Sequence, residues 1–427
     1  MTKILTQNFD KITAPTSVEE YESFSGYAGL KKAMTLATDE VLEEINTALL
    51  RGRGGAAFPM GRKWGQFVSS ESDVKYIVCN GDEGEPGTFK DGMLLDKTPL
   101  AIIEGMTIAA WISGAHEGYI LIRGEYRAKQ DHFNEALENA RKANYLGKAI
   151  CGHPDFNFDI KIISGAGAYI CGESSALVNT IMGKTGRPRV KPPHLAEVGL
   201  YLKPTLINNV ESYSNVPYIL REGGQKFLDL GTADGGGTKI ISLTGHIKHP
   251  GNYEVELGTP LHEILYSQEY GGGSATGRPL KFIHFGGQSG PIGAVSRLED
   301  TLYSYDGLWD ANLAIGSGAI VVMDDSVSVI DYLVEVARFF RDESCGKCTP
   351  CRIGSLRILE MLERFAAHDV APGELETFEK MCANVRQLSL CGLGQSIPVS
   401  MTSALKDFPE EFAACVNENL EKVEVAW

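Results

Sequence analysis

Three cysteines fall within seven residues in Cys345-Gly-Lys-Cys348-Thr-Pro-Cys351, two Cys-x-x-Cys steps that share the central thiol. Thiolates at this spacing suit adjacent corners of an iron–sulfur cubane and leave the fourth iron to a distant ligand. Cys391, in Leu390-Cys-Gly-Leu-Gly394, is the natural fourth, because its flanking glycines let the backbone approach a cluster. Cys382 is the rival, in a helix-like segment without such a loop. Structural zinc is the alternative, but zinc sites commonly pair two separated Cys-x-x-Cys knuckles. The three-plus-one pattern favours [4Fe–4S], a one-electron carrier that needs a donor and an acceptor. The first 17 residues are polar and charged and lack the apolar core of a signal peptide. The compartment therefore reads as reducing, and the thiols as metal ligands rather than disulfides.

Two glycine-rich stretches suit an anionic ligand. Arg51-Gly-Arg-Gly-Gly-Ala-Ala-Phe-Pro-Met-Gly-Arg-Lys-Trp64 joins four glycines, four cations and two aromatics. The glycines admit a phosphate, the cations neutralise it, and Phe58 offers a face to a base. This is not the Gly-x-Gly-x-x-Gly fingerprint, and a surface loop would also accommodate it. The second stretch begins at Ser164 and precedes a helical segment, Ser175 to Ile181, whose N-terminus suits a phosphate. Between them, Asn80-Gly-Asp-Glu-Gly-Glu-Pro-Gly-Thr-Phe-Lys-Asp91 follows a strand-like run. Its amide and carboxylates suit hydrogen bonds to flavin or ribose edges, as they would suit a solvated turn. Gly183-Lys184-Thr185 imitates the end of a Walker A loop, but Val178 stands where that loop requires glycine, so the ATPase reading is rejected.

These residues need scaffolds. The 427 residues suggest two to three domains, and 43% apolar with 22% charged residues is an ordinary globular balance. A net charge of −15 argues against nucleic acid and anionic membrane surfaces as partners, since both demand a basic face. Ala101 to Ser113, broken by Glu104, is too short to span a bilayer. Residues 1–236 alternate helical patterns with β-like runs at Lys75–Cys79, Gly118–Arg123 and Phe158–Ile163, which is α/β punctuation. The stretch from Gly231 to Thr238 reads as a linker. Residues 237–324 hold short β-runs at Lys239–Thr244, Leu280–Phe285 and Ala319–Met323, with one helical segment near Leu261–Gln268. From 325 to 427 the period becomes helical, with Val329, Leu333, Val336 and Phe340 on one face and Leu356, Leu359, Leu362 and Phe365 on another.

Taken in order, the motifs resemble a family. Arg-Gly-Arg-Gly-Gly-Ala-x-Phe-Pro, Asn-x-Asp-Glu-x-Glu-Pro-Gly-Thr-Phe-Lys-Asp, Gly-Ala-Gly-x-Tyr-Ile-Cys-Gly-Glu, Asn208-Asn209-Val210-Glu211 and Cys-Gly-x-Cys-x-Pro-Cys are similar to those of the 51-kDa (F) subunit of complex I. Diaphorase subunits of NAD-linked hydrogenases and formate dehydrogenases share them. The resemblance implies an α/β Rossmann-like FMN-binding domain, a ubiquitin-like β-grasp (α+β) domain and a C-terminal helical bundle carrying the [4Fe–4S] cluster. It implies NADH:quinone oxidoreductase chemistry: a hydride passes from NADH to FMN, and single electrons go on to the cluster and to partner subunits. A flavin reconciles the two-electron donor with the one-electron acceptor.

By motif, Gly52, Arg53, Gly54, Gly55 and Lys63 would serve the FMN phosphate and the nucleotide. Asn80, Asp82 and Glu83 would touch the flavin, with Gly172, Glu173, Asn208, Asn209 and Ser212 completing the pocket. Glu85 and Tyr169 would face the nicotinamide, and Phe58 and Lys191 the adenosine. No side chain need act as acid or base, because hydride transfer depends on positioning. Cys345, Cys348, Cys351 and Cys391 would bind the cluster. The implied partners are a small thioredoxin-like [2Fe–2S] protein, as in the E subunit of complex I, and further Fe–S subunits. The implied place is the cytoplasm, peripheral to the membrane through those partners and without insertion of its own.

Three departures fall on the adenosine side: Ser174 where the family has a second glutamate, Gln66 for an aromatic with Phe67 displaced by one, and His194 for phenylalanine after Lys191-Pro-Pro. A carboxylate beside the ribose repels a 2′-phosphate, so its loss weakens discrimination against NADPH. Two other readings stand beside the complex I protein: a diaphorase of a soluble NAD(P)-linked hydrogenase or formate dehydrogenase, and a non-enzymatic electron-transfer scaffold that binds no nucleotide.

Overall fold

The computed structural model describes residues 2–298 and 300–420. Residues 421–427, the end of the region expected to be helical, lie outside the described residues. The chain divides into two compact units: Met1–Gly84 with Thr88–Ile241 and Asn252–Thr259, and Glu85–Gly87 with Ser242–Gly251 and Pro260–Trp427.

In the first unit four strands form one sheet: β1 (Tyr76–Gly81), β2 (Glu117–Ile122), β3 (Asp159–Ser164) and β4 (Thr205–Asn209). Their order is β3-β2-β1-β4, and every pairing is parallel. The apolar runs of β1, β2 and β4 are almost wholly buried, as parallel strands covered on both faces require. The chain steps from β1 through β2 to β3, then returns to the other side of β1 as β4. The order therefore reverses between β1 and β4, where an open α/β sheet opens a crevice at its carboxyl ends. The β-like runs anticipate the first three strands within one or two residues. β4, five residues running straight into a helix, has no counterpart among them.

Six helices bear on the site in this unit: α1 (Met60–Val68), α2 (Lys90–Lys97), α3 (Pro99–Ser113), α4 (Arg127–Lys142), α5 (Ser174–Ile181) and α6 (Val210–Glu222). α3 starts with proline and stops at Gly114, whose φ of 70° lies in the left-handed region. It approaches α6 so closely at Gly105 that a Cβ there would lie 2.2 Å from Tyr213 O. Glu104, which interrupts the apolar run, is fully buried. Its carboxylate accepts from Tyr21 Oη at 2.6 Å, Tyr27 N at 2.9 Å and Leu30 N at 2.9 Å. The charge that breaks the pattern thus anchors the N-terminal segment.

In the second unit, the end of β5 (Thr238–Gly245) from Ser242 pairs in parallel with β8 (Ala319–Asp324). β8 pairs antiparallel with β6 (Leu280–Phe285), and β6 antiparallel with β7 (Ile292–Ala294). α7 (Leu261–Tyr266) lies in this region, and then come α8 (Val329–Glu343), α9 (Thr349–Ala366), α10 (Glu374–Leu388) and α11 (Gly392–Asp407). Val329, Leu333, Val336 and Phe340 are buried on α8 as their spacing predicts. On α9, Leu359, Leu362 and Phe365 are buried, but Leu356 is exposed. The inward stripe runs through Cys351, Ser355, Ile358 and Leu362, and Leu356 sits about 120° around the helix from Leu362. Among the described residues no helix is long and apolar enough to cross a membrane.

Glu104→Ala would leave three donors facing a cavity without an acceptor, at a cost of roughly 3 kcal/mol or more. Denaturant unfolding of the variant should show a midpoint well below that of the parent, and an unchanged midpoint would refute the anchoring role.

Candidate functional site

The carboxyl ends of β1 and β4 gather the sequence motifs. Asn80 stands opposite Asn209, and Cys79 opposite Asn208. Asn80 Nδ2 donates to Gly172 O at 2.9 Å while its Oδ1 accepts from Asp82 N at 3.1 Å, so one side chain fixes two loops. Asn209 caps α6, its Oδ1 accepting from Glu211 N at 3.0 Å, and its Nδ2 donates to Asp91 Oδ2 at 2.6 Å. The glycine-rich loop lies against Asn209: a Cβ on Gly54 would fall 2.9 Å from Asn209 Cβ. That loop is closed by Gly52 N donating to Phe58 O at 2.9 Å, and Gly55 holds a φ of 124° that other residues rarely adopt. Gly172 would place a Cβ 3.5 Å from Asp82 O, and Gly84 one 3.4 Å from Tyr169 Cα. Four segments distant in sequence thus line the crevice where the strand order reverses.

Lys63, on α1, reaches back to this floor. Its Nζ donates to Ile207 O at 3.0 Å and Asn208 Oδ1 at 3.2 Å, both neutral acceptors. Burial, with no anion to offset it, brings its pKa down to about 8. Asn208 Nδ2 makes no well-formed hydrogen bond among the described residues, and the buried Tyr213 hydroxyl stands beside it. Ser212 Oγ accepts from Arg53 N at 2.9 Å and so holds the glycine-rich loop through its backbone. A cradle of close-approaching glycines and a cation facing only neutral acceptors fit a phosphate, and the amides at the strand ends suit the polar edge of a flavin.

Beneath the crevice lies a sealed set of charges. Lys90 Nζ is 2.6 Å from Asp91 Oδ1 and 2.9 Å from Glu211 Oε2, and Lys239 Nζ is 2.6 Å from Glu211 Oε2. Arg53 is fully buried and donates through Nη2 to Gly236 O at 2.7 Å. Glu83 accepts from Asp91 N at 2.7 Å, Gly92 N at 2.9 Å and Tyr126 Oη at 3.2 Å. Burial, aided by the Asp91 charge, pushes Glu83 up to about 7. Burial alone would also raise Glu211, but Lys239, Lys90 and Arg53 hold it below the usual carboxylate range. The structure adds Lys90, Asp91, Glu211 and Lys239 to the candidates. The first three stand inside the motifs, whereas Lys239 opens an ordinary β-run that gives no signal.

On the side expected to take adenosine, Glu173 caps α5 by accepting from Ser175 N at 2.9 Å and Ala176 N at 3.0 Å, and its Oε1 pairs with Lys191 Nζ at 2.9 Å. Ser174 is the first residue of α5. His194 is exposed, as are Lys191 and Gln66. Phe67 is fully buried, so it does not replace the aromatic absent at Gln66. Phe58 is exposed, with the Arg62 guanidinium 5.8 Å from its ring centre. A recess of about 300 Å³ beside Lys191 is lined also by Lys184 and Arg189, with no carboxylate among its lining residues. Glu85 belongs to the second unit, where its carboxylate accepts from Ser289 N at 3.1 Å and Ser289 Oγ at 2.8 Å.

The cysteines meet within the second unit. Cys348 occupies the N-cap of α9 and Cys391 that of α11, so two helix N-termini present their positive ends to the thiols. Cys351, in the first turn of α9, is buried, while Cys345, Cys348 and Cys391 are partly exposed. Burial, with smaller contributions from Cys348, Cys391 and Cys345, pushes the Cys351 thiol up to about 11. All three are therefore near enough to act on it electrostatically. The Cys382 thiol, buried on α10, is raised by burial and by Glu379, with none of the four among its causes. Among the described residues no three His, Cys, Asp or Glu side chains stand close enough to hold a single ion. Three closely spaced thiols and a distant fourth, set against two helix N-termini, suit a polynuclear cluster.

Comparison with known proteins matches residues 45–218 to the Nuo51 FMN-binding domain and residues 331–415 to the NADH-ubiquinone oxidoreductase-F iron-sulfur binding region. The chain is 39% identical to the NADP-reducing hydrogenase subunit HndC of Solidesulfovibrio fructosivorans, over 97% of this chain and 84% of that protein. It is 40% identical to the second F subunit of the NADH-quinone oxidoreductases of Rhizobium meliloti, over 93% of this chain and 94% of the relative. Its fold is similar to that of an NAD+-reducing [NiFe]-hydrogenase crystallised in the H2-reduced state. The TM-score there is 0.84 at 30% identity, covering 97% of this chain and 67% of the other.

Two outcomes are expected. Lys63 is charged below a pKa of about 8, and binding of a phosphate would raise that value. FMN affinity of the apoprotein should therefore be full at pH 7 and fall as pH rises through 8, by up to about tenfold per unit. Lys63→Met should bind weakly at both pH 7 and pH 9; a parent affinity flat across that range would remove the role. Cys391→Ala should lose most of its iron and acid-labile sulfide while Cys382→Ala keeps both, and equal retention would exclude Cys391.

Proposed function

The chain belongs to the family of the NADH-quinone oxidoreductase F subunit, which hydrogenase diaphorase subunits share, and on that premise we propose that it is the NADH dehydrogenase component of a complex-I-type oxidoreductase. In that reading bound FMN supplies hydride acceptance from NADH and release of single electrons, which leave through a [4Fe–4S] cluster to partner Fe–S subunits. The observation that carries it is the convergence of four motif segments and Lys63 on the β1–β4 crevice. The chain's own part is to bind and orient. The backbone of Gly52, Gly54 and Gly55 with Lys63 would hold the phosphate. Asn80, Asp82, Glu83, Gly172, Glu173, Asn208, Asn209 and Ser212 would frame the flavin, and Glu85 and Tyr169 would face the nicotinamide.

The mixed sheet of β5, β8, β6 and β7 with α7 supports residues 237–324 as a β-grasp domain, between a flavin domain at 1–236 and a helical cluster domain at 325–427. A small thioredoxin-like [2Fe–2S] protein of the complex I E-subunit type is the proposed neighbour. The proposed place is the cytoplasm, at the membrane's inner face through partners.

A second reading concerns the nucleotide. Ser174 in place of a carboxylate, and a recess lined by Lys184, Arg189 and Lys191, favour acceptance of NADPH. The 39% identical relative is named an NADP-reducing hydrogenase subunit.

Cofactor analysis should find one FMN and four irons per chain, with reversible bleaching of the flavin band on adding NADH. Iron without flavin, or flavin that NADH leaves unbleached, would refute the enzyme and leave a non-enzymatic scaffold. With ferricyanide as acceptor, kcat/KM for NADPH should come within a hundredfold of that for NADH, and Ser174→Glu should widen the gap. A wider gap in the parent would refute acceptance of NADPH.

A further inference from the structure

We propose that the hydroxyls of Ser344 and Ser389 donate hydrogen bonds to sulfur at the Cys351 corner of the cluster site and thereby set the reduction potential of the centre. The inference rests on the reading of Cys345, Cys348, Cys351 and Cys391 as its ligands.

Cys351 is the one buried thiol of the four. Two serines stand against it, each immediately following the last residue of a helix. Ser344 follows α8, and its Oγ lies 3.2 Å from Cys351 Sγ. With free thiols either atom could donate. Once Cys351 is a metal-bound thiolate it has no proton, so the serine is the donor. Ser389 follows α10, with its backbone fixed by Ser389 N donating to Val385 O at 3.2 Å and Gln395 Nε2 donating to Ser389 O at 3.0 Å. Its hydroxyl is buried and has no hydrogen-bond partner among the described residues. A Cβ built on Gly394 would fall 2.5 Å from Ser389 Oγ and 2.9 Å from Cys351 Cβ. The Ser389 hydroxyl and Cys351 Cβ therefore both lie close to the point that a side chain on Gly394 would occupy. A buried hydroxyl without a protein acceptor keeps its proton available to a ligand sulfur placed beside it.

Hydrogen bonds to cluster sulfurs are among the levers that set its potential. The reduced state carries one more negative charge, so donors stabilise it more than the oxidised state and raise the potential. The effect should be large at a corner shielded from water, because low local dielectric strengthens each bond.

The test uses the full chain loaded with its cluster and an EPR-monitored redox titration. Ser344→Ala and Ser389→Ala should each shift the equilibrium toward the oxidised state by threefold to tenfold, about 28 to 59 mV for one electron. Ser400→Ala removes another buried, unpartnered hydroxyl, nine residues beyond Cys391 on α11, and should leave the potential unchanged. In D2O, pulsed EPR of the reduced parent should show coupled deuterons that diminish in each serine variant. Unshifted potentials with an unaltered deuteron pattern would overturn the proposal, and so would loss of the cluster from a folded Ser389→Ala chain, since a donor need not hold the iron. A parent chain without iron would instead sink the cluster reading itself.

Discussion

Glu211 is the residue on which the first unit turns. It is fully buried in the first turn of α6, between the cations of Lys90 and Lys239. Asp91 and Glu83 bring two more carboxyl groups and Arg53 a third basic group away from water, and burial raises Glu83 to about 7 and lowers Lys239 to about 7, so these two share the middle of the titration range. Such a set gains little net stability over apolar residues of the same shape, but removing one member strands a charge, typically at about 3–5 kcal/mol. Its use is geometric. The partners come from the glycine-rich loop, the loop after β1, the start of α2, the start of α6 and the start of β5, so the network can close only when all five are in place. The crevice above inherits that registration: Asn209 binds Asp91 directly, and the loop bearing Gly54 is tied down through Arg53.

The second unit solves a different problem with other means. Its site needs four thiolates, and thiols in a folded core resist ionisation. The chain answers by placing Cys348 and Cys391 at the N-caps of two long helices, where unsatisfied N–H groups favour negative charge. Gly394, one turn into α11, lets that helix close on Cys351, so the distant fourth cysteine joins a motif about forty residues earlier in the chain.

Legibility in the sequence depends on how local each determinant is. Three adjacent cysteines, the glycine-rich loops and the apolar runs of β1, β2, β3 and β6 are short-range signals, and the elements they predict are present within one or two residues. β4 is hidden because five residues leading straight into a helix carry no turn punctuation. Leu356 reads as inward because leucines spaced at three look like one stripe, whereas the true stripe includes Cys351 and Ser355, whose polarity hides it. Lys239 is invisible for a deeper reason. Its burial is decided by Glu211, 28 residues away, and nothing in Thr-Lys-Ile-Ile announces a sealed cation.

An acidic chain that handles anionic ligands is a contradiction only if net charge is taken as the local field. The cations sealed beneath the crevice are matched by carboxylates inside the protein, so a ligand meets glycine N–H groups, amides and Lys63, whose hydrogen-bond acceptors are neutral. That arrangement favours an occupant bringing a localised phosphate charge, because Lys63 regains in the complex what burial took from it. It also disfavours diffuse anions, which would have to displace neutral hydrogen bonds to Ile207 and Asn208 without a matching gain. Selectivity here comes from an unsatisfied arrangement that only one kind of ligand completes, and a net charge of −15 summed over the whole chain does not describe the field at that point.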